Sequence, residues 1–249
     1  MPSLWRNQIR HQTAAGALTV VAGLAAASCG GIPALAAQNP HRHGPVPRLG
    51  ITVLATIRNA SPRYAAPGVL APGRVPATWR GFQSVLPVVA SRPGWVKVRL
   101  AQQPSGSQAW LPARDVTLST TRYRIVISLS AMHLTLYHGM QRVFSAPAGI
   151  GATADPTPAG NYFVAFTEPS PQRDRGYGPF VLVTSAHSPA ISSWEGSGDA
   201  VIGIHGPLGQ DQLIGATGAR ISHGCIRLHL PALLKLRSVP PGTPVDIIR

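Results

Sequence analysis

Short runs of valine, isoleucine and leucine recur along most of the chain, separated by residues that favour turns. Glycine and proline, which interrupt regular structure, contribute 26 and 25 of the 249 residues. Helical periodicity is scarce, and the best helix candidate is the segment 231–237, with proline in its first turn and a basic residue at its end. The pattern therefore predicts a mainly β protein with one or two short helices.

The N-terminus has basic residues followed by an apolar stretch over residues 14–27, which is too short to span a bilayer as a stable anchor. This arrangement predicts an export signal over residues 1–37. Two processing sites are compatible with it: a small-x-small site at residues 34–36, and a lipoprotein box in which Cys29 would be lipidated. Either one places the working protein outside the cytoplasm, in the cell wall or periplasmic space.

Beyond the signal, the chain divides into a proline-rich linker over residues 38–48 and two β-rich domains over 49–118 and 119–249. The first domain has two tryptophan-centred strand candidates, at 94–100 and 108–116, on either side of a polar turn. These segments are similar to a bacterial Src-homology-3-like domain. The resemblance implies a small N-terminal β-barrel.

Charge is divided unevenly between these regions. Residues 38–118 carry ten basic and one acidic side chain, a net charge of +9, whereas residues 119–249 carry ten and seven, a net charge of +3. An exported basic domain is expected to meet anionic cell-wall polymer, and the alternative is a solvated surface without a partner. Basic residues are not interleaved with aromatic ones as in RNA-binding segments, so nucleic acid is not expected as a partner.

Cys225 is the first candidate for chemistry, because the other cysteine, Cys29, lies in the export signal. No disulfide can form within the folded part, so Cys225 is either a small core residue or a nucleophile. The imidazole of His223 and the cation of Arg227 are close in sequence and would favour a thiolate. Gly224 permits a tight turn in which the N–H groups of residues 224 and 225 could face an oxyanion.

A zinc site built from His205, His223, Cys225 and His229 is the competing interpretation of this cluster. The spacing is unusual for zinc ligands, and a metal would quench the thiolate. Phosphate-loop and dinucleotide fingerprints are absent from the sequence. We therefore expect neither a metal nor a cofactor.

An apolar run at 200–204 leads into the pair His205-Gly206, and Ser-His-Gly-Cys-Ile-Arg follows at 222–227. In this order the two motifs resemble the L,D-transpeptidase (YkuD-type) catalytic domain of bacterial cell walls. The resemblance covers about residues 122–249 and includes further segments, at 123–129, 133–139, 149–151, 157–163, 177–179, 185–188 and 242–247. It implies a β-sandwich of the L,D-transpeptidase type. Pro207 departs from the family pattern, in which many members have threonine.

The resemblance implies that Cys225 is the nucleophile and His205 the general base. His223 is given a supporting role, either in orienting the substrate or in lining the oxyanion pocket, and the same pocket is expected to involve Ser222, Gly206 and Gly224. Arg227 is placed to attract a substrate carboxylate, with a structural ion pair as the alternative. The segment 168–179 is predicted to form a lid with Tyr177 facing the substrate, or else an ordinary surface loop.

The reaction implied is acyl transfer from a peptidoglycan tetrapeptide stem to an amine, which forms cross-links in cell-wall biogenesis and supports cell shape. Carbapenem-type β-lactams are the expected covalent inhibitors. Water as acceptor would give an L,D-carboxypeptidase, and an amine of a wall protein would give an anchoring reaction. The remaining alternative is a non-catalytic wall-binding protein that retains the fold. A fragment beginning near Thr120 is expected to react with a β-lactam by itself.

Overall fold

The computed structural model describes residues 50–170, 175–192 and 199–249. The predicted export signal and the linker up to residue 48 lie outside the described residues. Across the described ranges, no helix is long and apolar enough to cross a membrane. The mainly β class and the short helices predicted from the sequence are confirmed.

The N-terminal unit, residues 50–121, is built from strands joined by tight turns. Its strands are β1 (Thr52–Ile57), β2 (Ser61–Ala66), β3 (Val69–Val75), β4 (Thr78–Trp79), β5 (Phe82–Gln83), β6 (Val85–Arg92), β7 (Trp95–Arg99), β8 (Gln108–Pro112) and β9 (Val116–Thr121). Seven of the described strands form a sheet in the order β3-β2-β8-β7-β6-β1-β9, and β4 pairs with β5 as a separate hairpin. Strand β9 pairs with β1 as far as Thr121, three residues past the predicted boundary. The Src-homology-3-like interpretation of this unit stays a prediction.

The C-terminal unit, residues 122–249, contains a second and larger sheet. Its strands are β10 (Tyr123–Ser128), β11 (His133–His138), β12 (Gln141–Pro147), β13 (Gly149–Gly151), β14 (Gly160–Pro169), β15 (Phe180–His187), β16 (Val201–His205), β17 (Ala219–Ser222), β18 (Ile226–Arg227) and β19 (Pro244–Ile248). Within the described residues their order is β12-β11-β10-β19-β14-β15-β16-β18-β13-β17. Two helices accompany the described strands, α1 (Asp211–Ile214) and α2 (Leu230–Leu234); α2 lies where the sequence predicted a helix.

Two hydrophobic cores lie on opposite faces of the larger sheet. The inner core contains only residues of the C-terminal unit, among them Ile125, Leu182, Ile202, Ile204, Ile226, Leu233 and Val245. The shared core joins residues of both units, among them Ile57, Leu86, Val98 and Leu111 with Phe163, Phe166, Val181, Val183 and Cys225. The face of the sheet that carries Cys225 is therefore continuous with the core of the N-terminal unit.

Candidate active site

Strands β16 and β18 are adjacent and parallel, with Ile204 opposite Ile226 and His205 opposite Arg227. Side chains alternate between the two faces of a strand, and paired residues share a face. The two isoleucines therefore enter the inner core, while His205 and Arg227 lie on the face of the shared core. This pairing brings the motif of His205 next to the motif of Cys225, although the two residues are twenty positions apart in the sequence.

The thiol of Cys225 is held at the edge of this face, directly before β18. The backbone N–H of Gly203, in β16, donates a hydrogen bond to Sγ over 3.4 Å. Cys225 is buried, and this burial raises the pKa of its thiol, although the Gly203 hydrogen bond and the charge of Arg227 act in the opposite direction. The group is therefore a thiol at neutral pH.

His205 is fully buried at the end of β16. Its Nδ1 lies 2.7 Å from the carbonyl oxygen of Gly206, which can only accept, so Nδ1 carries the proton and Nε2 is the basic nitrogen. Burial lowers the pKa of His205 to about 3; the Gly206 hydrogen bond opposes this shift, and the charge of Arg227 adds to it. The imidazole is therefore neutral at neutral pH and can accept a proton.

The prediction that residues 168–179 form a lid with Tyr177 facing the substrate is wrong. Glu168 and Pro169 lie inside β14, residues 171–174 are outside the described residues, and Tyr177 is fully buried instead of facing a substrate. Its ring packs edge-on against His205, with centroids 4.7 Å apart at 63°. The backbone of Gly206 also donates to Tyr177 O over 2.8 Å. Tyr177 is therefore a wall behind the imidazole.

Gly206 has a steric reason to be glycine. A Cβ at this position would lie 2.8 Å from the carbonyl oxygen of Gly176 and 2.9 Å from the carbonyl carbon of Tyr177. Such distances require the backbone to move. The His205-Gly206 pair therefore allows the segment that carries Tyr177 to approach the end of β16 closely.

Arg227 is almost completely buried, and its charge acts to lower the pKa values of both His205 and Cys225. Its guanidinium donates a hydrogen bond to the side-chain oxygen of Gln210, and its Nε has no hydrogen-bond partner among the described residues. Burial lowers the pKa of Arg227, opposed by its interactions with Cys225 and Tyr177. The Arg227 side chain is thus a cation beside the thiol, and its Nε–H is a hydrogen-bond donor without a partner among the described residues.

The turn before Cys225 is held by the hydroxyl of Ser222. Ser222 Oγ donates to the carbonyl oxygen of Cys225 over 2.6 Å and accepts from the N–H of Gly224 over 3.1 Å. The N–H of Gly224 therefore points at Ser222, and this corrects the expectation that it faces an oxyanion. Ser222 supports the turn itself, and the N–H of Cys225 is left as the predicted oxyanion donor.

Thr157 fastens the other side of this turn. Its hydroxyl donates to the carbonyl oxygen of Gly224 over 2.7 Å and accepts from the N–H of Gly151 over 2.8 Å. Gly224 has a φ of +109°, a conformation that side chains disfavour, and a Cβ there would lie 2.9 Å from Cδ1 of Ile202. The role of Thr157 could not be predicted from the sequence, because a threonine hydroxyl has no signature until its partners are known.

His223 lies apart from the buried pair. Its side chain is 64% exposed, and its Nδ1 lies 2.5 Å from Oδ2 of Asp155. The predicted place of His223 in the lining of an oxyanion pocket does not fit this exposure, because it projects toward solvent with a carboxylate partner. Asp155 was also missed by the sequence analysis. Among the described residues, no three His, Cys, Asp or Glu side chains are grouped as metal ligands would be.

Comparisons with known proteins identify the family of the C-terminal unit. The family model of the L,D-transpeptidase catalytic domain, YkuD, matches residues 122–247. The YkuD protein of Bacillus licheniformis is 32% identical over 129 residues, which are 51% of this chain and 67% of that protein. Its counterpart in Bacillus subtilis is 30% identical over 131 residues, 52% of this chain and 68% of that protein. The chain therefore belongs to the L,D-transpeptidase (YkuD) family.

Solved structures of two mycobacterial L,D-transpeptidases are among those similar to this chain. One from Mycobacterium smegmatis has 18% identity and a TM-score of 0.39, covering 62% of this chain and 91% of that one. L,D-transpeptidase 3 of Mycobacterium tuberculosis has 20% identity and a TM-score of 0.40, covering 59% and 77%. The family assignment itself follows from the sequence matches.

Proposed function

We propose that this protein is an L,D-transpeptidase that works outside the cytoplasm, with Cys225 as nucleophile and His205 as general base. The observation that supports this most strongly is the pairing of β16 with β18. It brings a buried neutral imidazole, a buried cation and a thiol held by the Gly203 amide to one face of a sheet. Cysteine acyl transfer needs this combination of nucleophile, base and nearby positive charge.

In the acylation step, Nε2 of His205 takes the thiol proton while Sγ of Cys225 attacks a peptide carbonyl carbon. The C–S bond forms and the carbonyl π electrons move to the oxygen, where the N–H of Cys225 is a candidate donor. When the intermediate collapses, the C–N bond breaks and the leaving amine receives the proton from His205. The products are a thioester and a free amine.

The second step regenerates the thiol. An acceptor amine attacks the thioester carbonyl, a new C–N bond forms, the C–S bond breaks, and the proton lost by the amine returns to sulfur through His205. The donor that we propose is a peptidoglycan tetrapeptide stem, cleaved between its third residue and the terminal D-alanine. A second stem as acceptor gives a cross-link, whereas water gives an L,D-carboxypeptidase.

The resting charges favour proton transfer during attack over a preformed ion pair. Burial raises the pKa of Cys225 and lowers the pKa of His205, so both groups are neutral at neutral pH. Negative charge develops on sulfur only as the proton moves, and the cation of Arg227 then stabilises it. Arg227 therefore has an electrostatic role even without direct contact with a substrate carboxylate.

Reaction with a β-lactam provides the test of this function. One solved L,D-transpeptidase is in complex with imipenem, and L,D-transpeptidase 3 of Mycobacterium tuberculosis carries a faropenem-derived adduct. For residues 38–249 of this chain we expect a single covalent imipenem adduct, measured by intact mass and mapped to Cys225. Cys225→Ser should form no adduct and no cross-linked muropeptide, because a serine hydroxyl is far less ionised. An adduct on the serine variant would remove Cys225 from the mechanism.

We further propose that the N-terminal unit binds anionic cell-wall polymer. A cleft on this unit is lined by three arginines, Arg58, Arg74 and Arg114, together with the single acid Asp115. We expect sedimentation with purified sacculi to weaken with salt, because exposed charges are screened over about 10 Å at 0.1 M ionic strength and about 3 Å at 1 M. Arg114→Ala should weaken it more than Arg92→Ala, and equal binding by the two variants would contradict the cleft.

A further inference from the structure

The hairpin formed by β4 and β5 projects from the N-terminal unit toward the larger sheet. We refer to residues 78–83 as the bridging hairpin. Its turn residues Arg80 and Gly81 have φ values of +52° and +87°, as in the two-residue turns that connect tightly twisted strands. Nε2 of Gln83 donates to the carbonyl oxygens of Ile57 and Ala77 over 2.6 and 2.9 Å. The hairpin is therefore fastened to its own unit and holds its aromatic residues in place.

Phe166 of β14 receives the aromatic side chains of the hairpin. Phe82 stacks on Phe166 with centroids 4.1 Å apart and planes 4° from parallel, and Trp79 meets the same ring edge-on at 5.8 Å. A register shift in β14 between Val164 and Phe166 accompanies this arrangement. Because of the extra residue, Ala165 and Phe166 both belong to the shared core.

Asp199 receives hydrogen bonds from both units. Arg80 Nη2 lies 3.0 Å from Oδ2, while Gln103 Nε2 and His187 Nδ1 lie 2.8 and 2.6 Å from Oδ1. Burial alone would raise the pKa of Asp199, but its bonds with His187, Gln103 and Arg80 outweigh that effect and hold the pKa below its usual value. Asp199 is therefore a carboxylate that two residues of the N-terminal unit contact directly.

His187 adds a second connection at the same place. Its Nε2 lies 2.8 Å from the carbonyl oxygen of Ala101, and its backbone N–H donates to Oγ of Ser105 over 3.0 Å. Both ring nitrogens face atoms that only accept hydrogen bonds, Ala101 O and the Asp199 carboxylate. The ring therefore links the Asp199 carboxylate to the backbone of the N-terminal unit at Ala101.

The contacts of the bridging hairpin lead to Cys225 along two short routes. In the sheet, Phe166 pairs with Val183 and Val183 pairs with Gly203, whose N–H holds the thiol. These are two strand spacings, or roughly 10 Å. Along the chain, Asp199 is two residues before β16, the strand that contains Gly203 and ends at His205.

We propose that the bridging hairpin is a positioning element of the active site, in which Arg80 acts through Asp199 to hold β16, and with it Gly203 and His205, in register with Cys225. Arg80 is a positioning residue because its contacts are with Asp199 and Trp79 and not with the reacting atoms. The side chains of this ion pair are only 16% and 23% exposed, so the pair is largely shielded from water. It can therefore hold Asp199 in a fixed position relative to the hairpin. The consequence for catalysis rests on the proposed function.

Arg80→Ala is the informative variant, and Arg92→Ala is its matched control. Each removes one positive charge from the N-terminal unit and one guanidinium over a tryptophan, Trp79 at 5.2 Å or Trp110 at 5.6 Å. Arg80 alone of this pair bridges to Asp199. Differences between the two variants therefore report the bridge and not net charge or stacking.

With imipenem and residues 38–249, we expect Arg80→Ala to lower the acylation rate constant at saturation between about tenfold and about 100-fold. The half-saturating concentration should change less than about twofold, because the binding surface is intact. Arg80→Lys should recover part of the rate, since lysine keeps the charge but lacks the planar fork. Arg92→Ala should match the wild type, and equal rates for Arg80→Ala and Arg92→Ala would overturn the proposal.

Hydrogen exchange at the Gly203 amide gives a readout that does not depend on transpeptidase activity. We expect faster exchange in Arg80→Ala than in Arg92→Ala, at temperatures where melting curves show both variants folded. If Arg80→Ala does not fold, Asp199→Asn carries the same test with a smaller change in shape. A wild type without a β-lactam adduct would reject the proposed function, while the exchange comparison would still decide whether the hairpin positions β16.

Discussion

The two hydrophobic cores differ in which residues build them. The inner core comes entirely from residues 125–247, with neighbouring strands supplying alternate side chains to one face of the larger sheet. The shared core holds Cys225, but it is completed by residues of the N-terminal unit and by the stacking of Phe82 on Phe166. Residues 122–247, which match the family model, therefore do not by themselves bury the face of the sheet that carries Cys225.

The free energy lost when the shared face is exposed to water decides whether the C-terminal unit can fold without the N-terminal unit. Full exposure of a large apolar side chain costs about 1.5–3 kcal/mol, and a whole domain is stable by only about 5–15 kcal/mol. Phe163, Phe166, Val181 and Val183 all lie on the shared face. Removal of the N-terminal unit would therefore cancel much or all of the free energy of unfolding of the C-terminal unit.

The largest predicted effect follows from cutting between the units. The sequence alone led us to expect that a fragment beginning near Thr120 reacts with a β-lactam, and the structure leads to the opposite expectation. Residues 120–249 should lack a cooperative thermal transition and form no imipenem adduct, because the shared face is exposed. Circular dichroism and intact mass measure both, with residues 50–249 as the control; a folded, reactive fragment would show that the cores are independent.

Within the C-terminal unit, the two histidines of the motif should differ in effect by orders of magnitude. His205→Ala should slow acylation by about 10²–10⁴-fold, the usual contribution of a positioned base. His223→Ala should cost much less, because its ring is largely exposed and bonded to Asp155. Stopped-flow acylation rates check this order, and the reverse result would exchange the two roles.

Removal of one aromatic ring, that of Phe82, tests whether the shared core matters more for the reaction than the inner core. Phe82→Ala should lower the free energy of unfolding by about 2 kcal/mol, less than for a fully buried ring, because Phe82 is half-buried. It should also slow imipenem acylation, since the ring seats the bridging hairpin on Phe166. Phe144→Ala is the control, because Phe144 is also half-buried but packs against the inner core. Comparable slowing by both variants would mean that general stability governs the rate.

A further prediction is a pH dependence of stability that originates at His205. Its pKa is about 3 when folded and near 6.5 when unfolded, so the unfolded state binds the extra proton between these values. The contribution of His205 to stability is therefore present above about pH 6.5 and is lost as the pH falls toward 3. Urea midpoints should fall less steeply between pH 7 and pH 4 in His205→Gln than in the wild type; parallel curves would mean that the ring is not buried as described.

The family and the β class could be predicted because both are written in local patterns. Turn residues between short apolar runs identify strands without any knowledge of their partners, and the spaced His-Gly and Ser-His-Gly-Cys motifs identify the family. The roles of Thr157 and Asp155 could not be predicted in this way. Their partners, Gly224 and His223, are more than sixty residues away, and a hydroxyl or carboxylate acquires a role only from what it contacts.

For Tyr177 and Gly224, the sequence did suggest a role, but the direction predicted for each group was wrong. Each was assigned a direction from its position in the sequence, one toward substrate and one toward an oxyanion. Tyr177 is instead turned inward by packing against a distant strand, and the Gly224 amide is turned toward the hydroxyl of a residue two positions earlier. Tyr177 is buried against His205, and the Gly224 amide is bonded to Ser222. Side-chain and amide directions depend on the whole surrounding arrangement, which no local pattern contains.

Composition, periodicity and motif spacing are local properties, so the sequence was enough to predict the β class and the family and to select Cys225 and His205 as candidates for the proposed acyl transfer. Only the tertiary structure decided that the thiol and imidazole are both buried and neutral, since pKa values follow from burial and from the charge of Arg227. The tertiary structure also shows that residues of the N-terminal unit complete the hydrophobic core around Cys225. The contacts of Arg80 with Asp199 and of Phe82 with Phe166 join residues about 80 to 120 positions apart, and such pairings exist only once the chain has folded.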